Sequence, residues 1–170
     1  MSDGQGEALR LHEEEADWIE FRVDGPPVAQ PRQRVRIVTP RHGKPFASNY
    51  LPASDPVHDY KTRVASAANN AYWGVEPLTG PVEVEILAVF GRPQCRVWKR
   101  KPMPRTRKIG KPDFDNVAKA VCDALTGVVW RDDAQITDAW IRKREASGDE
   151  TPHTIVRVRT LTEQPHEETR

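Results

Sequence analysis

Hydrophobic and polar positions alternate along several stretches of the chain. Ile19, Phe21 and Val23 alternate with Glu20, Arg22 and Asp24. A period of two sends successive side chains to opposite faces, so this stretch predicts a half-buried strand, ended by Gly25-Pro26-Pro27. Val35 and Ile37 alternate with Arg34 and Arg36, which predicts a second, short strand, and Pro40 to Lys44 reads as a turn. Val82, Val84, Ile86, Ala88 and Phe90 alternate with Glu83 and Glu85 in the clearest strand. Ile136 to Lys143 reads as a further strand. In the last one, about His153 to Leu161, Val156 and Val158 alternate with Arg157 and Arg159.

Two stretches have helical spacing instead. Ser54-Asp55-Pro56 offers a capping residue followed by a proline in the first turn. Val57, Tyr60, Val64, Ala67, Ala68 and Ala71 then recur at helical intervals as far as Gly74. A second helix is predicted from about Asn116 to Leu125, where Val117, Ala120, Val121 and Ala124 form an apolar stripe and Gly127 ends the run. Val128-Val129-Trp130 reads as a short extended piece. About five strands and two main helices predict an α/β (α+β) fold, a sheet packed on helices, in a single domain.

Composition narrows this further. The chain has 170 residues, 30% charged and 37% hydrophobic, too apolar for a disordered chain and long enough for a core. No stretch approaches the roughly 20 apolar residues of a membrane span, and MSDGQGEALRLHEEE lacks the apolar region of a secretory signal. Cys95 and Cys122 are too few for a disulfide framework or a cysteine-rich zinc site. A reduced, cytoplasmic protein without a membrane partner is expected.

The net charge of +1 conceals a segregation. Residues 1–20 hold seven acids and one base, and Glu163, Glu167 and Glu168 sit near the end. Residues 1–17 are therefore expected to be an acidic flexible tail and 163–170 a polar tail, around a folded domain at 18–162. Residues 28–45 hold five bases (Arg32, Arg34, Arg36, Arg41, Lys44) and no acid. Residues 95–111 hold eight (Arg96, Lys99, Arg100, Lys101, Arg105, Arg107, Lys108, Lys111) and again no acid. Brought together, they would make a phosphate-binding footprint; apart, they are two solvated loops.

Candidate chemistry lies in Lys111 to Gln135, KPDFDNVAKAVCDALTGVVWRDDAQ. Pro112 favours an extended approach to the helix, in which Asp113 and Asp115 point the same way. Asp115 would then cap a helix beginning at Asn116. Lys119 lies one turn on, and Asn116, Lys119 and Asp123 line a polar side. A tight return after the helix would bring Asp132 and Asp133 back beside the first pair. Two or three carboxylates can hold Mg²⁺ while leaving positions for a phosphate oxygen and water, and a nearby lysine can stabilise developing negative charge. Taken singly, a DxD or a DD is most often a cap or a turn. Their combination with Lys119 within about twenty residues, after eight bases, is poorly explained by turns alone.

The run KPDFDNVAKAVCDALTG, then VVW, then RDDAQI, with the later Lys143, resembles the RusA-type Holliday-junction resolvases, small Mg²⁺-dependent endonucleases of bacteria and their phages. The resemblance is strong over residues 111–143 and weaker over Gly80–Arg92 and Tyr60–Ala68. GPPVAQPRQRV, Asn49-Tyr50 and Tyr60-Lys61 look like the phage-type branch. Carried across by position, the resemblance implies that Asp113, Asp115 and Asp133 are catalytic, metal-binding carboxylates, with Asp132 beside the third, and that Lys119 is the catalytic lysine. It implies Mg²⁺, with Mn²⁺ as a substitute, a mixed β-sheet of about five strands flanked by two main helices, and a homodimer that cuts opposing strands of a four-way DNA junction by paired nicks in a bacterial or phage-infected cell. Arg32, Arg34, Arg36, Lys99, Arg100, Lys101, Arg105, Arg107, Lys108 and Lys111 would then hold DNA phosphates. Two rivals stay open on the residues alone: a non-catalytic phosphate-binding DNA module, and a DxD transferase using a nucleotide diphosphate.

Overall fold

A computed structural model describes residues 18–72, 74–98 and 100–161. The expected tails at 1–17 and 163–170 lie outside the described residues. In chain order the elements are β1 (Ile19–Asp24), β2 (Arg34–Val38), β3 (Phe46–Tyr50), α1 (Pro56–Ala71), β4 (Val82–Phe90), β5 (Thr106–Arg107), α2 (Phe114–Leu125), β6 (Ile136–Glu145) and β7 (His153–Thr160). Single 3₁₀ turns occupy Gln94–Arg96 and Asp133–Gln135.

The main sheet has the order β1-β7-β4-β6-β5. It is mixed: β4 and β6 run parallel, and the other neighbours are antiparallel. A parallel pair needs a long crossover. Here the crossover from β4 to β6 carries the second basic segment and α2, which delivers the start of α2 near the carboxyl ends of the two parallel strands. α1 starts as its sequence predicts, with the Asp55 carboxylate accepting the Val57 N–H at 3.0 Å and proline in the first turn. Val57, Tyr60, Val64 and Ala68 of α1 meet Ala120, Val121, Ala124 and Leu125 of α2 over Phe21, Val23, Val82, Val84, Ile86, Val156 and Val158 in one core. Trp130 is fully buried at its edge. Among the described residues, no helix is long and apolar enough to cross a membrane.

The fold class is as expected, an α+β arrangement with a mixed five-stranded sheet, but one strand of that sheet differs. The basic strand at Arg34–Val38 forms, yet it pairs with β3 in a separate two-stranded sheet. Phe46-Ala-Ser-Asn-Tyr50 lacks an apolar alternation, so only its pairing with β2 makes it a strand. The fifth place in the main sheet is taken by Thr106–Arg107, from the segment read as a loop. Val128 and Val129 are not extended. Their N–H groups fold back to the Leu125 carbonyl, at 3.0 and 2.9 Å, in a turn that Gly127 opens with φ +80°. Glycine reaches that left-handed conformation without a side-chain clash.

Candidate active site

α2 begins two residues earlier than the Asn116 start read from its apolar stripe. Asp113, not Asp115, occupies the cap position, with an extended backbone, and the helix runs from Phe114. The Asp113 carbonyl accepts the Val117 N–H at 3.2 Å, closing the first turn. Pro112 restricts the residue before it, not the one after, so the chain turns helical directly after Asp113. The correction has a chemical consequence. The Asp113 carboxylate makes no capping hydrogen bond, so it is not consumed by the helix end. Asp115 sits in the first turn. Because one residue is extended and the other helical, both carboxylates line one open depression of about 460 Å³, together with Gly110, Phe114 and Lys143.

Lys143 enters the sequence reading only as part of the resemblance, without a role, and the fold gives it one. Its ammonium donates to the Gly110 carbonyl at 2.8 Å and the Pro112 carbonyl at 2.5 Å. It thereby straps the approach to Asp113 onto β6. In the run Arg142-Lys143-Arg144 it looks like solvated charge. The available signal is parity, because Lys143 shares a strand face with Ile141, which packs against the core.

The remaining candidates sit apart from this depression. Asp132 caps the 3₁₀ turn: its Oδ1 accepts the Ala134 N–H at 2.9 Å, while Gln135 Oε1 accepts the Asp132 N–H at 3.0 Å. Gln135 Nε2 also donates to the carbonyls of Leu78 and Gly80, which pins this turn to the start of β4. Asp133 is exposed, and its charge is felt by Cys122 in the last turn of α2. Burial pushes the Cys122 thiol up to about 11, helped by the negative charges of Asp123 and Asp133 and opposed by Lys119. Lys119 pairs with Asp123 at 3.6 Å, and Lys61 of α1 reaches the other Asp123 oxygen at 2.8 Å. The polar side of α2 is thus tied to α1. Asp113 and Asp115 converge as expected. Among the described residues, however, no three His, Cys, Asp or Glu side chains form a group that could hold a metal ion, and Asp132 and Asp133 are not part of the lining of the depression that Asp113 and Asp115 share. Two open carboxylates still suit a hard, oxygen-seeking cation that keeps several waters.

Both basic segments reach this site. The Gln30 N–H donates to the Asn116 carbonyl at 2.8 Å, docking the first segment on the first turn of α2. Lys143 docks the end of the second. Their charges are not equally available. Arg32, Arg34 and Arg36 are exposed, as are Arg100, Lys101, Arg107 and Lys111. Arg105 is different: it forks onto Glu150, with Nε 2.7 and 2.9 Å from the two carboxylate oxygens. Its guanidinium is the main reason the Glu150 carboxyl falls from 4.5 to about 2. Arg96 sits 2.6 Å from the buried Glu145, and the Lys108 ammonium lies 5.1 Å from the centre of the Phe90 ring. These three cations anchor their loop to the body. Lys99 lies outside the described residues.

Residues 24–159 match the family described as endodeoxyribonuclease RusA. An uncharacterized protein of Bacillus subtilis (strain 168), YqaN, is 31% identical over 155 residues, covering 85% of this chain and 98% of that protein. The family match spans every element from the end of β1 to β7 and includes the paired carboxylates and both basic segments. On that match, the chain belongs to the RusA family of endodeoxyribonucleases.

Proposed function

We propose that this protein is a Mg²⁺-dependent endodeoxyribonuclease that resolves four-way DNA junctions by paired nicks, acting as a homodimer. One observation carries the reading: the Asp113–Asp115 depression, strapped by Lys143, lies where both basic segments dock. Carboxylates alone would repel a DNA backbone. Flanked by arginines and lysines they make a place where a phosphodiester can be held beside a bound cation.

Asp113 and Asp115 would hold Mg²⁺, or Mn²⁺ in its place, and Asp133, on the resemblance of RDDAQI to the family, would be the third carboxylate, with Asp132 as the alternative. The bound cation would neutralise charge on the phosphate and lower the pKa of a water. Lys119, one turn beyond Asp115, would stabilise negative charge that builds up as the bond to the leaving oxygen breaks. Arg32, Arg34, Arg36, Arg100, Lys101, Arg107 and Lys111 would hold phosphates without reading bases. Pairing two copies about a two-fold axis would present two identical sites to two symmetric strands.

The deciding experiment is a synthetic four-way junction incubated with the protein, with and without Mg²⁺. Paired, metal-dependent nicks support the reading; intact DNA with Mg²⁺ present sinks it in favour of a binding module. Asp133→Asn and Asp132→Asn assign the third carboxylate. If both variants cut at the wild-type rate, neither residue serves the metal.

A further inference from the structure

The β2–β3 hairpin is unlike the rest of the molecule. It is a sheet of its own, and isolated two-stranded hairpins are marginal in water. Its register pairs Arg34 with Tyr50 and Arg36 with Ser48, and pairs Val35 with Asn49 and Ile37 with Ala47. Directly paired residues share a face, so the hairpin has two unlike faces. One carries Arg34 and Arg36, with the Arg36 guanidinium 5.0 Å from the centre of the Tyr50 ring. The other carries Val35, Ile37, Ala47 and Asn49, without a charge, and all four are exposed. Val35 is 65% and Ile37 69% exposed, whereas the exposed Phe46 pairs with Val38 on the arginine face. The surrounding segment, 28–45, has five bases and no acid.

That combination selects its occupant. An acid-free basic strand calls for a polyanion, and its uncharged face calls for a flat apolar surface on the same polyanion. DNA offers that surface only where bases are unstacked. In a continuous duplex the apolar side chains would have to break stacking, whereas at a branch point stacking is already interrupted. The hairpin is also placed for it, because the Gln30–Asn116 hydrogen bond roots its approach at the first turn of α2, beside the Asp113–Asp115 depression. We infer that the Val35–Ile37–Ala47 face packs on unstacked bases at a DNA branch point while Arg34 and Arg36 hold the flanking phosphates, so that the hairpin sets the preference for branched over duplex DNA. This inference rests on the junction-cleaving reading above.

The test uses the full chain, the double variant Val35→Ser/Ile37→Ser, and the milder Ile37→Ala. Both sites are exposed, so each variant should melt with the wild type. The probes are a four-way junction with 2-aminopurine beside the branch and a duplex of one arm. The wild type should raise the 2-aminopurine fluorescence on binding. The double variant should lose that rise and bind the junction about tenfold more weakly, the low end of the scale of one buried aliphatic side chain, with duplex affinity unchanged. Arg34→Ala should weaken both substrates together. An unchanged junction-to-duplex ratio with an unchanged fluorescence rise overturns the inference. So does a double variant that sediments as a smaller species than the wild type while keeping that ratio, since the apolar face would then join two copies of the chain. A wild type that neither binds nor cuts the junction removes the functional reading itself; a wild type that cuts, beside variants that cut and bind alike, removes only the role of the hairpin.

Discussion

The two basic segments look equivalent in the sequence and differ in the fold. Each is rich in arginine and lysine and free of acids. In 95–111 part of that charge faces inward to the protein: Arg105 forks onto Glu150, Arg96 meets buried Glu145, and Lys108 covers Phe90. In 28–45 the strand Arg34–Val38 pairs with β3 in its own hairpin, and its arginines are exposed. One segment is a loop held in place by some of its charges, with the rest free to act. The other is an arm whose arginines Arg32, Arg34 and Arg36, among the described residues, form no ion pair, Arg36 lying over Tyr50 of the same hairpin. Counting bases therefore overstates the DNA footprint of the second segment and understates its rigidity.

The largest effect separates gripping from cutting. Asp115→Asn removes one charge from the depression between the two segments and leaves both intact. Cleavage should fall by about 10²–10³, the scale of losing one transition-state interaction. Junction binding without metal should hold or improve, because a negative charge leaves the neighbourhood of the phosphate. Single-turnover rates and a binding isotherm on the same junction decide it, and normal cleavage would remove Asp115 from the site.

Next is the strap that ends the second segment. Lys143→Met should loosen Gly110 and Pro112 and misplace Asp113, lowering cleavage by about 10², the scale of a small misalignment. Lys143→Arg should recover part of that loss. If the methionine variant cuts normally, the strap does not position the carboxylates.

The comparison itself is tested by salt. The double variant Arg34→Ala/Arg36→Ala should lower the slope of log affinity against log salt by about 2 if both contact phosphate, whereas Arg105→Ala should leave it nearly unchanged. Equal slopes in the two variants would erase the distinction between arm and anchored loop.

The smallest effect is on stability. Arg105→Met should cost about 1 kcal/mol at neutral pH, the scale of a well-formed surface ion pair. The sign of its pH dependence follows from Glu150. A carboxyl lowered in the folded state, here from 4.5 to about 2, contributes stability that is complete above 4.5 and is lost as pH falls towards 2. Wild type and variant should therefore converge in melting temperature on acidification through that window. A constant gap down to pH 2 would show that the pair is not the source.

Periodicity alone determined much of this protein. The stripe Val117, Ala120, Val121, Ala124 is buried in α2 as its spacing requires, and Val82, Val84 and Ile86 of β4 face the same core. Local signals also placed the start of α1, because Asp55 and Pro56 act within one turn. The carboxylates Asp113 and Asp115 were legible for the same reason: two residues apart at a helix start, they meet through local geometry. What tertiary structure decided is whatever depends on residues far apart in the chain. Phe46–Tyr50 becomes a strand only because Arg34–Val38 lies beside it. Which of the two aspartates caps α2 turns on where the helix begins, a choice of one or two residues that apolar spacing does not resolve. Arg105 finds Glu150 from 45 residues away, and Lys143 finds Pro112 from 31. A charge read from sequence is only a donor in search of an acceptor. Whether that acceptor is a carbonyl, a carboxylate or a phosphate is settled when the sheet brings distant segments together.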